Sequence, residues 1–120
     1  MALPAIAAAA CQITPKDRLQ GRWVGVRAEN FEPAHVARVT GWVAGASFEF
    51  RGSRVVVTVP AESAREGTFS VIAARGGELD LRFSRPQGTT DAVEIELAGH
   101  DLLRWKLGGG RSILFRKAGN

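Results

Sequence analysis

Residues 47–59 have the sequence SFEFRGSRVVVTV, which predicts two β-strands joined by a tight turn. Phe48 and Phe50 alternate with polar residues, and this two-residue period is typical of a half-buried strand. Gly52 and Ser53 form a two-residue Gly-X connection of the kind that favours a hairpin. The β-branched run that follows also favours a strand. The stretch therefore predicts a β-hairpin with one apolar face.

The same pattern continues through the rest of the chain. Eight strands are expected in all, over residues 22–29, 47–50, 54–59, 68–74, 78–84, 92–97, 102–107 and 112–117. Strands joined by short turns pair antiparallel, and eight of them hide their edges when the sheet closes on itself. The sequence therefore predicts an all-β protein, an eight-stranded antiparallel up-and-down β-barrel, with a two-sheet sandwich as the alternative. Residues 31–41 (FEPAHVARVTG) predict a short helix or loop inserted after strand one.

The apolar face of these strands predicts either a core filled by side chains or a pocket for a small hydrophobic molecule. Such a pocket would open at the end covered by residues 31–45, and the valines of strand three would leave it room. Arg27 is expected at its mouth, because it has the same parity as Trp23 on strand one. The other expected ligand-binding residues are Phe48, Phe50, Val57, Phe69, Leu81, Phe83, Ile95 and Trp105.

The first strand begins with LQGRW (19–23), and the last strand carries Arg116. Together with the eight-strand meander, these residues resemble the lipocalin-like domains of the calycin superfamily, especially the short bacterial lipocalin-like proteins. The resemblance covers residues 18–117 and implies a non-catalytic barrel that binds a small hydrophobic ligand. It also implies that Trp23 crosses the closed end, that Gly21 lets the backbone pass close by, and that Arg116 packs over the indole. A cation on an indole face is favourable by roughly 0.5–2 kcal/mol.

Residues 29–32 (ENFE) also resemble fatty-acid-binding proteins of the same superfamily. Those barrels need ten strands and a two-helix lid, and the chain after Gly21 is too short for both. The chain has no tyrosine, so the Arg and Tyr that hold a fatty-acid carboxylate in that family cannot both be placed. The lipocalin-like resemblance is therefore preferred.

Groups for catalysis or metal binding do not converge in the sequence. His35 lies in the segment after strand one and His100 in a predicted turn, and neither stands at metal-ligand spacing from a second histidine and a carboxylate. We therefore expect no enzyme activity, no metal and no cofactor. The net charge of +4 comes from thirteen Arg and three Lys, but these charges alternate along the strands and do not cluster, so no nucleic-acid binding is expected.

Residues 1–10 (MALPAIAAAA) are apolar and uncharged and precede Cys11, the single cysteine. Small residues directly before a cysteine resemble a bacterial lipoprotein cleavage site, at which Cys11 would carry the lipid. Residues 1–17 are therefore expected to be a signal-peptide remnant or flexible N-terminal tail, and residues 18–120 the barrel. The expected location is the periplasm or cell envelope, with membrane contact only through a lipid at Cys11. The alternative is a cytoplasmic protein with a disordered or weakly helical Ala-rich tail.

A second class of function stays open at this point. The barrel core would be filled, and the protein would act as an interaction module such as an inhibitor or immunity-type partner. An exposed apolar loop patch around Phe31 and Trp42 would favour this alternative, whereas a cavity would favour the ligand carrier. A monomer is expected in either case.

Overall fold

The computed structural model describes residues 13–119, and their strands form one closed antiparallel barrel in chain order. The predicted eight-stranded up-and-down barrel is thereby confirmed, because β1 pairs with both β2 and β8. The predicted insertion after strand one is a helix. The elements are α1 (Pro15–Leu19), β1 (Gly21–Glu29), α2 (Pro33–Ala44), β2 (Ser47–Arg51), β3 (Arg54–Thr58), β4 (Arg65–Arg75), β5 (Glu78–Ser84), β6 (Thr90–Leu97), β7 (Leu102–Gly108) and β8 (Arg111–Lys117).

Helix α1 closes one end of the barrel. Its first turn is fixed by a capping box, in which the Thr14 side chain accepts from the Asp17 amide and the Asp17 side chain accepts from the Thr14 amide. Leu19, the last residue of α1, is fully buried, and so is Trp23. The indole Nε1 of Trp23 donates to the Leu19 carbonyl oxygen at 2.8 Å. This hydrogen bond satisfies the only polar atom of a side chain that is otherwise in the apolar core.

Helix α1 is also tied to the β2–β3 turn. The Gln20 side chain accepts from the Gly52 amide at 2.6 Å and donates to the Gly52 carbonyl oxygen at 3.0 Å. Lys16 Nζ donates to Ser53 Oγ at 2.7 Å. Helix α1 therefore extends across the expected boundary between residues 17 and 18. Cys11 and residues 1–10 lie outside the described residues.

The cation over Trp23 is Lys117, and the prediction of Arg116 is wrong. Lys117 is the cross-strand partner of Trp23, and its Nζ lies 5.2 Å from the ring centroid. Arg116 is the partner of Val24, so its side chain points to the outside of the barrel, where it is exposed. Gly21 has φ +121°, and a Cβ there would lie 3.0 Å from Lys117 Cε. Glycine at this position thus permits both the backbone conformation and the close approach of the lysine.

Aromatic rings fill the middle of the barrel. The centroid of Phe48 lies 4.9 Å from that of Phe115, 5.4 Å from Trp105, 5.9 Å from Phe50 and 6.1 Å from Phe83. These distances are those of favourable tilted and edge-to-face pairs. Around and below the rings lie buried aliphatic side chains of the facing strands, Val55, Leu79, Leu81, Ile95, Leu97, Leu103 and Ile113.

Helix α2 packs into the opposite end of the barrel, over β1. Pro33 stands in its first turn, where the missing amide costs nothing. Val43 is fully buried near the other end of the helix. The inward-facing Gly25 leaves room for it, because a Cβ on Gly25 would collide with the Val43 carbonyl oxygen. The Gly25 amide donates to the Ala46 carbonyl oxygen at 2.9 Å and fixes the chain just after the helix.

Replacing Lys117 with methionine is expected to lower the free energy of unfolding by about 0.5–1 kcal/mol, because it removes the cation from the Trp23 face but keeps an apolar stem. The matched control is Arg116→Met on the same strand, which is expected to change stability by less than about 0.5 kcal/mol because Arg116 is exposed. Urea unfolding followed by circular dichroism measures both. A larger loss for Arg116→Met than for Lys117→Met would contradict the assignment of the cation.

Two glycine-to-alanine variants test the packing of α2. Gly25→Ala is expected to destabilise the protein by about 1–3 kcal/mol, because the new Cβ forces α2 away from β1. Gly41→Ala, within α2, meets no heavy atom within 4 Å of the new Cβ and is expected to stabilise by about 0.5–1 kcal/mol through helix propensity. Thermal unfolding midpoints of the two variants should move in opposite directions. Equal shifts would mean that α2 does not pack against Gly25.

Candidate functional site

A pocket of about 310 Å³ opens at the α2 end of the barrel. It lies where β3 and β5 end and β4 and β6 begin, which is the end away from Trp23. Its volume is at the lower limit of ligand pockets in proteins. Its walls are formed by Phe48, Val55, Val57, Arg65, Glu66, Gly67, Phe83, Ser84, Arg85, Asp91, Ala92, Val93 and Trp105.

The floor of the pocket is aromatic. Phe48 forms its base and separates it from the filled part of the barrel. The rings of Phe83 and Trp105 both meet Phe48 edge-to-face, with interplanar angles of 82° and 73°. Val57 contributes an aliphatic wall, as the β-branched run of strand three suggested. The inner half of the pocket is therefore apolar and built from rigid side chains.

The structure divides the predicted ligand-binding residues into two groups. Phe48, Val57, Phe83 and Trp105 line the pocket. Phe50, Phe69, Leu81 and Ile95 face inward as expected but are buried in the core and do not line the pocket. Alternation along a strand identifies the inward side of a residue but not its height in the barrel, so it could not separate the two groups.

Two lining valines were outside the predicted ligand-binding set. Val55 and Val93 face the pocket. They have the same parity along β3 and β6 as the predicted residues Val57 and Ile95, so the alternating pattern contains the signal for them.

The prediction that Arg27 lies at the mouth is wrong. Gly25 pairs with Phe115 and Arg27 pairs with Leu114, so Val26 is an extra residue in β1 and forms a β-bulge. The bulge reverses the parity of the strand. Ala28 takes the inward position, and Arg27 is exposed on the outer face.

Charged side chains surround the mouth of the pocket, and each has a partner of opposite charge. Arg65 contacts Glu62 at 2.8 Å, and Arg85 contacts Asp91 at 3.1 Å. Glu66 contacts Arg54 at 2.8 Å. Two arginines and two acidic residues line the pocket itself, so the rim is electrically balanced.

The segment after β1, which the sequence predicted to cover this end, supplies no residue to the lining of the pocket and approaches it only through Trp42. Trp42 of α2 packs against Trp105, with ring centroids 6.5 Å apart and an interplanar angle of 35°. The Arg111 guanidinium lies 5.8 Å from the centroid of the Phe31 ring. Phe31 and Trp42 are both half-buried, so they do not form the exposed apolar patch that would favour an interaction module.

A second, polar groove of about 710 Å³ runs along the outer face of β1, β7 and β8. Arg104 joins the strands there: its Nε donates to Glu29 at 2.6 Å and its Nη1 donates to Glu96 at 2.8 Å. Ser112, which is buried, donates its hydroxyl to Glu29 at 2.9 Å. The hydrogen bond from Arg104 is the main reason why the pKa of Glu29 is lowered from its ordinary value of 4.5. Glu29 in turn raises the pKa of Arg104.

These groups join β1, β6, β7 and β8 across the outer face of the barrel. Leu114 lies on the outer face between its cross-strand partners Arg27 and Arg104, and it is nevertheless buried. Among residues 13–119, no three His, Cys, Asp or Glu side chains are grouped so that they could bind a metal ion. Neither of the helices described here is long and apolar enough to cross a membrane.

Comparison of the chain with protein-family models, with curated proteins and with solved structures finds no match. The arrangement itself combines an apolar, aromatic floor with a charge-balanced rim. Such a site can desolvate an apolar molecule and leave one end of it at the surface.

Replacing Glu29 with glutamine is expected to lower the free energy of unfolding at pH 7 by about 1–2 kcal/mol, because it weakens two charge-assisted hydrogen bonds. Since the pKa of Glu29 is lowered in the folded protein, the stability it contributes is fully present above pH 4.5 and is lost as the pH falls through the folded pKa. The difference between wild type and variant should therefore shrink below pH 4.5. Glu94→Gln, an exposed position in the same groove, serves as the control and is expected to change the free energy of unfolding at pH 7 by less than about 0.5 kcal/mol. A difference that stays constant down to pH 3 would contradict the ion-pair assignment.

Proposed function

We propose that this protein is a non-catalytic, lipocalin-like carrier or sensor that binds a small hydrophobic molecule in the pocket at the end of the barrel away from Trp23. The observation that carries the proposal is the pocket of about 310 Å³ at the end opposite Trp23, in a barrel whose remaining interior is filled. A barrel that served only as a scaffold would gain stability by filling this volume as well.

The position of the pocket also supports binding. Its floor is apolar, so an apolar ligand gains from burial without needing many hydrogen bonds. One end stays open between the β3–β4 and β5–β6 connections, so the ligand can enter without unfolding of the barrel. The half-buried Trp42 packs against Trp105 and holds this lining side chain in place from α2.

The cell-envelope location and a lipid on Cys11 belong to the same proposal. They are supported by the sequence of residues 1–11 alone. An apolar carrier suits a compartment next to a membrane, where apolar small molecules partition. The interaction-module alternative receives less support, because Phe31 and Trp42 are engaged with Arg111 and Trp105.

Binding is tested with N-phenyl-1-naphthylamine, an uncharged dye whose emission rises in apolar surroundings. The wild-type protein is expected to enhance dye emission with a micromolar Kd and to change its own tryptophan emission, because Trp105 lines the pocket. Val57→Phe is expected to weaken binding by at least about tenfold, because the larger ring occupies the pocket.

The matched control is Val56→Phe. Val56 is the next residue of β3, has Glu49 and Glu66 as cross-strand partners, and does not line the pocket, so this variant should bind as the wild type does. Circular dichroism establishes that both variants are folded. No dye binding by the wild type at micromolar concentration, or equal losses in the two variants, would overturn the proposal.

A further inference from the structure

We infer that the ligand is an uncharged, flat aromatic molecule and not a fatty acid or another extended chain; this inference rests on the proposed function. Three properties of the pocket support it: its depth, the geometry of its floor, and the pairing of charges at its rim.

The packed interior limits how far a ligand can reach into the barrel, which disfavours an extended chain. Phe48 packs against Phe50 and Phe115, which are no more than 1% exposed. Phe69 and Leu81 fill the space beside them. An alkyl chain long enough to gain much from burial would have to run past Phe48 into this filled region, or else lie outside the pocket in water. A compact molecule can use the whole apolar floor at once.

The geometry of the floor favours a ring. Phe83 and Trp105 both stand edge-to-face to Phe48, so three aromatic side chains of different orientation converge on one small volume. Aromatic rings prefer edge-to-face and offset arrangements with other rings, in which the positive edge of one meets the negative face of the next. A flat aromatic guest can extend this arrangement, whereas an alkyl chain cannot make the electrostatic part of the contact.

The rim favours a ligand without charge. A carboxylate at the mouth would find Arg65 and Arg85 already paired with Glu62 and Asp91. To bind either arginine it would have to share the guanidinium with an acidic side chain of the protein, and repulsion from Glu66 and Asp91, which also line the pocket, would offset part of the attraction. A cationic ligand meets the same obstacle at Glu66, which is paired with Arg54. A hydroxyl or other neutral polar group can lie between these pairs and disturb none of them.

The test uses four probes that vary one property at a time. 2-Naphthol and 1-decanol are uncharged and have the same number of non-hydrogen atoms, but one is a flat aromatic and the other a chain. 2-Naphthoate and decanoate are their anionic counterparts. Isothermal titration calorimetry at pH 7 is expected to give a Kd for 2-naphthol about tenfold lower than those for 1-decanol and 2-naphthoate. Decanoate should bind most weakly.

Two phenylalanine variants test whether the Phe83 ring is responsible for the preference for an aromatic ligand. Phe83 and Phe69 are direct cross-strand partners, but only Phe83 lines the pocket. Phe83→Leu is expected to weaken 2-naphthol binding about tenfold and to leave 1-decanol within about twofold. Phe69→Leu makes the same chemical change in the core below and should alter neither Kd. Near-ultraviolet circular dichroism reports whether both variants keep their packing.

One charge variant tests the role of the rim. Asp91→Asn frees Arg85 from its partner and is expected to narrow the preference for 2-naphthol over 2-naphthoate to about twofold or less. An unchanged preference in this variant would overturn the charge argument.

The outcomes separate the two proposals. If 1-decanol or decanoate binds as tightly as 2-naphthol, the aromatic inference is wrong and the carrier function stands. If none of the four probes nor the naphthylamine dye binds, both are wrong.

Discussion

Closure of the ring between β1 and β8 is the constraint on which the rest of this structure depends. A strand at the edge of an open sheet leaves a row of unpaired amides and carbonyls, and closure removes both edges at once. β1 has to satisfy two partners, and at its first residues it does so around Trp23, which lies opposite Phe48 on one side and Lys117 on the other. The hydrogen bond from Trp23 to Leu19 then holds α1 across the end of the barrel. The pocket opens at the opposite end.

The fold could be predicted from the sequence because its determinants are local. Alternation along a strand and a short glycine-containing turn each depend on only a few neighbouring residues. Both can be recognised in stretches such as 47–59. The errors arose where the two-residue period is broken. Val26, Ile72 and Leu107 are each an extra residue in a strand, and each exposes an apolar side chain. The bulges in this chain share no fixed sequence motif. Counting alternate residues from Trp23 therefore assigned Arg27 to the inner face, whereas it lies on the outer face.

The candidate site was predictable only in part, for a different reason. Its residues had to be apolar and inward-facing, and alternation gave Phe48, Val57, Phe83 and Trp105 correctly as inward. Whether an inward residue borders space or other side chains depends on how rings from distant strands stack, as Phe48 does on Phe115. The identity of the cation over Trp23, at the other end of the barrel, also depends on contacts between distant strands. Two neighbouring cations stand at residues 116 and 117, and only the register with β1 decides that the lysine faces inward.

The packed core and the proposed pocket share the same strands of the barrel. Below Phe48 the interior is closely packed, and the network of Glu29, Arg104 and Ser112 holds β1, β7 and β8 together from outside. The wall of the pocket contains three valines, of which Val55 and Val93 are cross-strand partners of the core residues Phe50 and Leu81. The glycine at position 67 lets β4 lie close to the end of β5, where a Cβ would collide with the Ser84 carbonyl oxygen. Small residues here reduce the buried area and leave a space that larger side chains could have filled. Because the packed core and the outer network already hold the barrel closed, the protein can keep this space at a tolerable cost in stability. Phe48 belongs to both regions, since it lines the pocket and packs against Phe50 and Phe115.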